Sequence, residues 1–285
     1  MGSHSRGTLF VVATPIGNQA DLSPRARQVL GAADCVAAED TRHTGRFLSR
    51  LGVHAKLVSL HEHNEPRRVA ELVARLEAGF DVALVSDAGT PLISDPGYRL
   101  LAALREAGLR ASPIPGPCAA IAALSVAGLP TDRFVFEGFL PSRHASRRKR
   151  LDTLGPEPRT MVFFEAGRRL EDALADMVAA FGAERPAVIA RELTKVHETL
   201  YHGRLGELAG RAAADRDMQR GEHVIVIGGR VEVAGAHEDA RVAATLRILL
   251  GELPLAQAVR LTVRLTGARR NDVYRQATDI AFQGR

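Results

Sequence analysis

The sequence predicts an α/β protein with a mostly parallel sheet and helices on both of its faces. Short apolar runs typical of buried strands alternate with helical patterns through the first half of the chain. Hydrophobic residues make up 46% of the 285 residues, which is enough for a sizeable core. Polar clusters follow four of the predicted strands directly, at residues 14–18, 39–43, 61–64 and 86–97. Since ligands bind at the carboxyl ends of such strands, the clusters predict a site there; the competing interpretation is that polar residues simply end strands.

Each element of the first half has a local signal in the sequence. Apolar runs predict strands at residues 9–13, 35–38, 56–60, 82–85 and 111–114. Ser23 followed by Pro24 is typical of a helix N-terminus, and Asn64 is expected to cap a second helix. Gly79 and Gly108 are expected to end helices, because glycine adopts the left-handed conformation that terminates them.

The loop at residues 85–97 is the segment around which we expect the site to be organised. It reads VSDAGTPLISDPG and contains two glycines, two prolines and two aspartates. Connections of this kind usually have about 2–6 residues, so the extra length favours a binding function over an ordinary surface turn. Glycine allows the backbone to approach a ligand closely, and the aspartates supply acceptors.

The second half predicts a mixed sheet followed by a helical tail. Strands are expected at residues 134–140, 160–164, 187–191, 199–203 and 223–228, several of them close enough along the chain for antiparallel pairing. Residues 231–237 read as a polar linker. Beyond it, apolar spacing predicts three helices, the last two joined at residues 267–270 as in a helix-turn-helix; a small bundle used only for packing is the alternative. We therefore expect domains at residues 8–116, 117–230 and 236–285.

A basic segment between the first two strands of the second half is the densest positive charge in the chain. Residues 142–150 read SRHASRRKR. We expect a mobile arm that contacts phosphates, whereas a solvated helix face is the alternative. The predicted RNA contacts are Arg42, Arg143, Arg147, Arg148, Lys149 and Arg150.

Composition narrows the class of protein. The formal net charge of +5 permits a nucleic-acid partner without requiring one. Two cysteines, Cys35 and Cys118, stand in apolar or small-residue contexts, so we expect no disulfide framework and a cytoplasmic location. No apolar run is long enough for a membrane span, and the polar start at residues 1–5 is too short for a signal peptide.

Seven short motifs, in this order, carry a resemblance to a known family. They are ATPIGN at 13–18, AEDTR at 38–42, HEHNE at 61–65, SDAGTP at 86–91, FEGFLP at 136–141, FFE at 163–165 and RELTK at 191–195. In this order they resemble the ribosomal RNA small subunit methyltransferase I family, within the tetrapyrrole-methylase-like (class III methyltransferase) group. The resemblance covers nearly the whole chain, including the helical tail.

The resemblance implies a two-domain tetrapyrrole-methylase-like fold with a small C-terminal helix-turn-helix-like domain, and S-adenosylmethionine in the cleft between the first two domains. It implies a cofactor site formed by Pro15, Gly17, Asp87, Gly89, Thr90, Pro91, Ile93, Pro117, Cys118, Ala119 and Phe164. It implies 2′-O-methylation of a cytidine, cytidine 1402 of 16S ribosomal RNA, by a homodimer acting on the RNA or the 30S subunit. Where tetrapyrrole enzymes commonly have Gly-Asp-Pro, this chain has Gly89-Thr90-Pro91, which favours the RNA branch.

Candidate catalytic residues follow from the chemistry of transfer to a hydroxyl. A ribose hydroxyl is a poor nucleophile until a base or nearby positive charge helps its proton to leave. His43 and His61 follow predicted strands and are candidate bases, and Glu165 is another if burial raises its pKa. Asn64 and Lys195 are expected to orient the ribose or a phosphate. No metal is required, because residues 61–63 lack the spacing of a zinc site.

Two other functions fit parts of the sequence. One is a methyltransferase acting on a tetrapyrrole or another small molecule, which would need neither the basic segment nor the helical tail. The other is a non-enzymatic RNA-binding protein, which leaves the polar clusters after the strands unexplained. Binding of S-adenosylmethionine separates enzyme from binder, and the chemical identity of the methylated product separates the two enzymes.

Overall fold

The computed structural model describes residues 6–61, 63–230 and 236–283, with side chains between 236 and 283 described for 241–282. The chain divides into two compact units, Met1–Gly229 and Arg230–Arg285. The first unit contains two five-stranded sheets, and the second is helical. No helix in the described part of the chain has the length and apolar character needed to cross a bilayer.

The first sheet is entirely parallel and buried between helices. Its strands are β1 (Thr8–Val12), β2 (Cys35–Ala38), β3 (Leu57–Ser59), β4 (Val82–Val85) and β5 (Arg110–Ile114), in the order β3-β2-β4-β1-β5. Its helices are α1 (Pro24–Ala32), α2 (Thr41–Arg50), α3 (Glu65–Glu77) and α4 (Tyr98–Glu106). Apolar side chains of α1 and α2 form a core on one face, and those of α3 and α4 form a core on the other. Both faces of β2 and β4 are therefore covered, which is why these strands read as continuous apolar runs.

The second sheet is mostly antiparallel. Its elements are α5 (Ala119–Ala127), β6 (Phe134–Phe139), α6 (His144–Leu154), β7 (Thr160–Ala166), α7 (Gly167–Phe181), β8 (Pro186–Arg191), β9 (Thr199–Arg204), α8 (Leu205–Ala214) and β10 (Glu222–Ile227). The strand order is β6-β7-β10-β8-β9, and only β6 and β7 pair in parallel. The small-residue helix α5 packs on one face, while α6, α7 and α8 bury their apolar sides on the other.

The C-terminal unit is a three-helix cluster. It consists of α9 (Ala236–Leu250), α10 (Leu255–Thr266) and α11 (Arg270–Gln283) around a core that includes Leu246, Val259 and Val273. Gly267 ends α10 in the left-handed conformation, so the turn lies where the sequence predicts it. Of the predicted linker, residues 231–235 lie outside the described residues, and α9 already begins at Ala236.

The predicted strands are all present, within about two residues at each end. The predicted boundary at residues 116–117 falls between β5 and α5, where one sheet gives way to the other, and the three-domain division stays a prediction. One element differs in kind: the basic segment is not a mobile arm but the helix α6, whose residues Leu151 and Leu154 are buried in the core.

Candidate functional site

Three loops at the carboxyl ends of the first sheet are tied together by hydrogen bonds. Thr14, which follows β1, and Gly89, in the loop after β4, exchange backbone hydrogen bonds of 2.8 and 3.0 Å. The Thr90 hydroxyl donates to the Pro117 carbonyl oxygen at 2.9 Å, which adds the segment after β5. These contacts give the loop at 85–97 a defined position beside the turn after β1.

The first cavity, of about 310 Å³, is bordered by these loops and by the ends of the second sheet. This volume is near the lower end of the range usual for small-molecule sites, about 300–1,000 Å³. The cofactor residues predicted from the resemblance that line it are Asp87, Gly89, Thr90, Ile93, Cys118, Ala119 and Phe164. The Phe164 ring is held edge-on by Phe136 and Phe139, at centroid distances of 5.0 and 5.6 Å.

The other predicted cofactor residues lie nearby but not in this cavity. Pro15 and Gly17 line a second cavity. Pro91 is buried and lines neither cavity, and Pro117 contributes only the carbonyl oxygen that accepts from Thr90. For Pro91 and Pro117 the geometry indicates support of the loops rather than contact with a ligand.

Backbone strain is concentrated in the two loops that border the first cavity. Among the described residues, the non-glycine residues with positive φ are Leu92, Ser94, Glu192 and Thr194, with φ between 50° and 74°. Such a conformation is costly for residues with a Cβ atom and is common at functional sites. The first pair lies in the loop after β4, and the second pair lies in the loop after β8.

Asp95 is a site residue that the sequence singled out only as part of a loop. It lines the first cavity, and burial raises the pKa of its carboxyl to about 6, although a hydrogen bond with Ser86 opposes this shift. The loop contains two aspartates, and no sequence signal distinguishes the half-buried Asp95 from Asp87. The difference arises from packing alone.

The second cavity is larger, about 560 Å³, and adjoins the first. The two cavities share Ile16, Asp87, Ala88, Lys195 and Glu222 as a common wall. On its outer side the second cavity is lined by α2, through His43, Thr44, Arg46, Phe47 and Arg50. The structure therefore brings His43 to the site, as predicted, but it also brings Arg46 and Arg50, which the sequence analysis missed.

Lys195 is held at the common wall by two carboxylates. Its Nζ donates to Glu192 Oε1 at 2.8 Å and to Glu222 Oε2 at 2.9 Å. Burial lowers the pKa of the Lys195 ammonium, but the hydrogen bonds with Glu192 and Glu222 outweigh it and raise the pKa above its ordinary value. A cation with this fixed position can interact with groups in either cavity.

Gly17 allows the loop that carries Lys195 to pack closely against the turn after β1. A Cβ atom on Gly17 would lie 2.4 Å from Lys195 Cγ and 2.8 Å from Thr194 Oγ1, so no larger residue fits without displacement. The Asn18 amide also donates to Thr194 Oγ1, at 3.1 Å. Loops that follow strands of different sheets thus meet at this glycine.

Glu165, the third candidate base, borders the first cavity at the end of β7 with a fully buried side chain, and its role as a base stays a prediction. Side chains alternate along a strand, and Phe164 packs on the α5 face of β7 with Val224, its partner on β10. Glu165 and its partner His223 therefore point toward the opposite face of the sheet, although both also border the first cavity at the strand ends. There Glu165 accepts from the Ala166 amide at 2.9 Å and lies 3.3 Å from the Arg169 guanidinium, while burial raises the pKa of its carboxyl.

His61 and Asn64 line neither cavity. Asn64 Oδ1 accepts from the His61 amide at 2.9 Å, and its Nδ2 donates to the Ser59 hydroxyl at 2.9 Å. The Asn64 side chain thus closes the turn after β3 and does not cap α3 as predicted. Glu62 lies outside the described residues, and in the described part of the chain no cluster of three or more potential metal ligands occurs.

The structure corrects one predicted RNA contact on α6, that of Arg147. Arg147 is 4% exposed, and its Nε donates to Asp176 Oδ2 at 2.7 Å, so it is not available to a phosphate. Asp176 also lies 3.0 Å from His144 and 4.0 Å from Arg148, and Arg150 donates to Glu137 at 3.0 Å. The remaining predicted contacts, Arg143 and Lys149 on this segment and Arg42 on α2, are exposed.

Comparison with known proteins agrees with this architecture. A family model described as Tetrapyrrole (Corrin/Porphyrin) Methylases matches residues 8–209, and one described as the RsmI C-terminal HTH domain matches residues 236–281. The chain is 52% identical over 274 residues to ribosomal RNA small subunit methyltransferase I of Pseudomonas aeruginosa, covering 96% of this chain and 97% of that protein. It is 48% identical over 278 residues to the protein of the same name from Escherichia coli O157:H7, covering 97% and 96%.

Solved structures agree at the level of the fold. Uroporphyrin-III-C-methyltransferase from Thermus thermophilus aligns with a TM-score of 0.54 at 25% identity, over 78% of this chain and 94% of that one. Diphthine synthase aligns with a TM-score of 0.59 at 17% identity, over 79% and 91%. The fold of the two-sheet unit is thus shared with proteins of distant sequence. From the matched family models and the identity over nearly the full length, the chain belongs to the tetrapyrrole methylase family and, within it, to the ribosomal RNA small subunit methyltransferase I family.

Proposed function

We propose that this methyltransferase transfers the methyl group of S-adenosylmethionine to the ribose 2′-oxygen of a cytidine in small-subunit ribosomal RNA, cytidine 1402 of 16S RNA by family resemblance. The name of the relatives supports the RNA class of substrate. The observation that carries the proposal is the pair of adjoining cavities with Asp87 and Lys195 in their common wall. A group-transfer enzyme needs two such sites, because donor and acceptor must meet in line.

The first cavity is the proposed site of S-adenosylmethionine, and its residues fit that molecule. S-adenosylmethionine supplies a methyl group on a positively charged sulfonium. The carboxylates of Asp87 and Asp95 border the cavity and favour a cation there. Gly89, with φ of 79°, leaves its space free of a side chain, and Phe164 presents an aromatic ring that an adenine can contact.

The second cavity is the proposed site of the ribose, and two predicted residues lie there. His43 is the proposed base, since an imidazole can take the proton that leaves the 2′-hydroxyl. Lys195 is the proposed positioning residue. Its ammonium, fixed by Glu192 and Glu222, places positive charge where the ribose oxygen becomes more negative.

The remaining assignments stay proposals that rest on the family. The substrate is small-subunit ribosomal RNA or the 30S subunit, the enzyme is a homodimer, and its location is the cytoplasm. None of these enters the chemistry derived from the two cavities.

The test is to incubate the purified protein with S-adenosylmethionine and undermethylated small subunits, and to analyse nucleosides from the RNA by mass spectrometry. We expect one added methyl group on the ribose of a single cytidine. Gly89→Val should abolish the product and the calorimetric binding of S-adenosylmethionine, because a β-branched residue is strained at this φ and its Cβ would lie 3.3 Å from Ile16, which pushes the loop away from its position.

Gly108→Val is the matched control. Gly108 also has a positive φ, 63°, but no atom lies within 4 Å of its Cβ position, and it lies at the C-terminus of α4. It therefore imposes comparable backbone strain without touching either cavity. Methylation of a base or of a small molecule, with unmodified ribose, would overturn the proposed function.

A further inference from the structure

We propose that one side of α2, formed by His43, Arg46, Phe47 and Arg50, binds the phosphates of the RNA strand next to the target nucleotide. This surface is called the α2 basic face below. The inference rests on the proposed function, because it names the part of the molecule that holds the RNA backbone while the ribose lies in the second cavity.

The spacing of these residues puts them on one side of the helix. They stand at positions i, i+3, i+4 and i+7, which share a face of an α-helix, and all four line the second cavity. Thr44 and Leu48 are buried against the sheet and fix the rotation of the helix. The Asp40 side chain accepts from the Arg42 and His43 amides at 2.7 and 3.2 Å and fixes its N-terminus. The helix that carries the α2 basic face is therefore held in a defined position.

Its two arginines are not neutralised by the protein. Among the residues that the structure describes, no carboxylate forms an ion pair with Arg46 or Arg50. The contact of Arg46 is from Nε to the Arg42 carbonyl oxygen, at 3.3 Å, within the same helix. The terminal nitrogens of both guanidinium groups are thus available to an anion. Since guanidinium binds phosphate through two parallel hydrogen bonds, a polyphosphate backbone is the chemistry that fits.

The basic residues of α6 differ from Arg46 and Arg50 because most of them have carboxylate partners. That helix has more basic residues, but Arg147, Arg148 and Arg150 lie beside Asp176 or Glu137. Charges that are paired within the protein gain little from a phosphate. The uncompensated charge on α2 stands beside the proposed ribose site, whereas that on α6 does not line either cavity.

The position also agrees with how RNA is recognised. A nucleotide whose 2′-oxygen is to react is presented from an unstacked or single-stranded segment, so its neighbouring phosphates run along the rim of the site. The second cavity, about 560 Å³, has the α2 basic face on one side and the common wall on the other. A strand that enters with its ribose toward Lys195 has its phosphates against Arg46 and Arg50.

The test is the affinity of the full chain for an RNA fragment of the small-subunit decoding region, measured by fluorescence anisotropy across a salt series. Each phosphate contact contributes about 0.7 to the slope of log affinity against log salt for a single strand. Arg46→Ala with Arg50→Ala should therefore weaken binding at low salt about tenfold or more and flatten the slope by about 1.4. Arg46→Lys with Arg50→Lys should keep most of the slope, because lysine retains the charge.

Arg105→Ala with Arg110→Ala is the matched control for net charge. These exposed arginines stand at the end of α4 and the start of β5, at the opposite edge of the parallel sheet from the loops of the site. This control should keep both affinity and slope. Calorimetry should show unchanged binding of S-adenosylmethionine to every variant, which also confirms that each one is folded.

The outcomes separate the two proposals. If the Arg46/Arg50 alanine variant overlays the wild type across the salt series while the wild type methylates the RNA, the α2 basic face is overturned and the proposed function stands. If the wild type neither binds nor methylates this RNA, the proposed function is overturned and the inference with it. An equal loss in the Arg105/Arg110 control would also overturn the inference, because net charge alone would then explain the effect.

Discussion

Asp95 and Glu165 show at the residue scale that burial has different consequences in different surroundings. Burial raises the pKa of both carboxyls. Both residues border the first cavity, but Asp95 is only partly buried and a cation can reach it, whereas the Glu165 side chain is fully buried beside Arg169. A raised pKa therefore marks a functional candidate only where the geometry also gives access to a ligand.

The raised pKa of Asp95 predicts a specific pH dependence of stability. Its pKa is about 6 in the folded protein against the ordinary 3.8 of an aspartate in the unfolded chain, so the folded state binds this proton more tightly than the unfolded state. The stability that comes from the protonated form is complete at low pH and is lost as pH rises through about 6. Asp95→Asn removes this loss. We expect the variant to be about 2 kcal/mol more stable than the wild type above pH 7, with a gap that closes toward pH 4.

The measurement is the free energy of unfolding of both proteins in urea at a series of pH values. The titration of other groups cancels in the difference between the two curves. Parallel curves from pH 4 to pH 8 would show that the Asp95 carboxyl titrates normally.

At the scale of elements, α6 shows why a run of basic residues is a poor guide to a binding surface. The carboxylate of Asp176, on α7, lies within 4.0 Å of Arg147, Arg148 and His144 of α6. The buried side of this helix includes the guanidinium of Arg147 as well as apolar side chains. The positive charge of this segment therefore serves helix packing as well as any partner.

This packing role predicts that Arg147→Ala destabilises the protein. The substitution removes a buried partner of Asp176 and leaves that carboxylate 8% exposed with weaker partners. Breaking a buried ion pair costs several kcal/mol, and because His144 and Arg148 remain, we expect a loss of roughly 3 kcal/mol. Urea denaturation measures the free energy of unfolding. Lys149→Ala, on the exposed side of the same helix, is the control and should change it by less than about 0.5 kcal/mol. Equal values for the two variants would contradict a structural role for Arg147.

At the scale of the whole molecule, the chain combines a tetrapyrrole methylase unit with a C-terminal helical unit. The two-sheet unit matches one family model, and the C-terminal helices match another. The residues that line both cavities belong to the unit Met1–Gly229. The helical unit has a separate core, which includes Leu246, Val259 and Val273.

This division predicts that residues 1–229 fold and bind S-adenosylmethionine without the helical unit. A fragment that ends at Gly229 keeps every residue of the first cavity and all four cores of the two-sheet unit. We expect a cooperative thermal transition by circular dichroism and a calorimetric affinity within about twofold of the full chain. A fragment that is unfolded, or that is folded but does not bind, would show that the division into units is not a division of stability or of binding.

The sequence by itself determined the elements and the position of the loops. A continuous apolar run such as Val82–Val85 predicts a strand that is covered on both faces. A glycine such as Gly267 ends a helix because it readily adopts the left-handed conformation. These signals are local, because each depends on residues that are neighbours in the chain. The loop at 85–97, the turn at 13–18 and the helical tail were therefore predictable, and so was the family.

Only the tertiary structure decided which charged residues are available to a ligand. Arg147 meets Asp176 across 29 positions of sequence, and Lys195 meets Glu222 across 27. Whether a charged side chain is available to a ligand depends on the partner that folding places beside it, and such partners lie on other elements. For the same reason Arg46 and Arg50 were overlooked: the face of a helix that borders a cavity is set by how the helix packs against the rest of the fold.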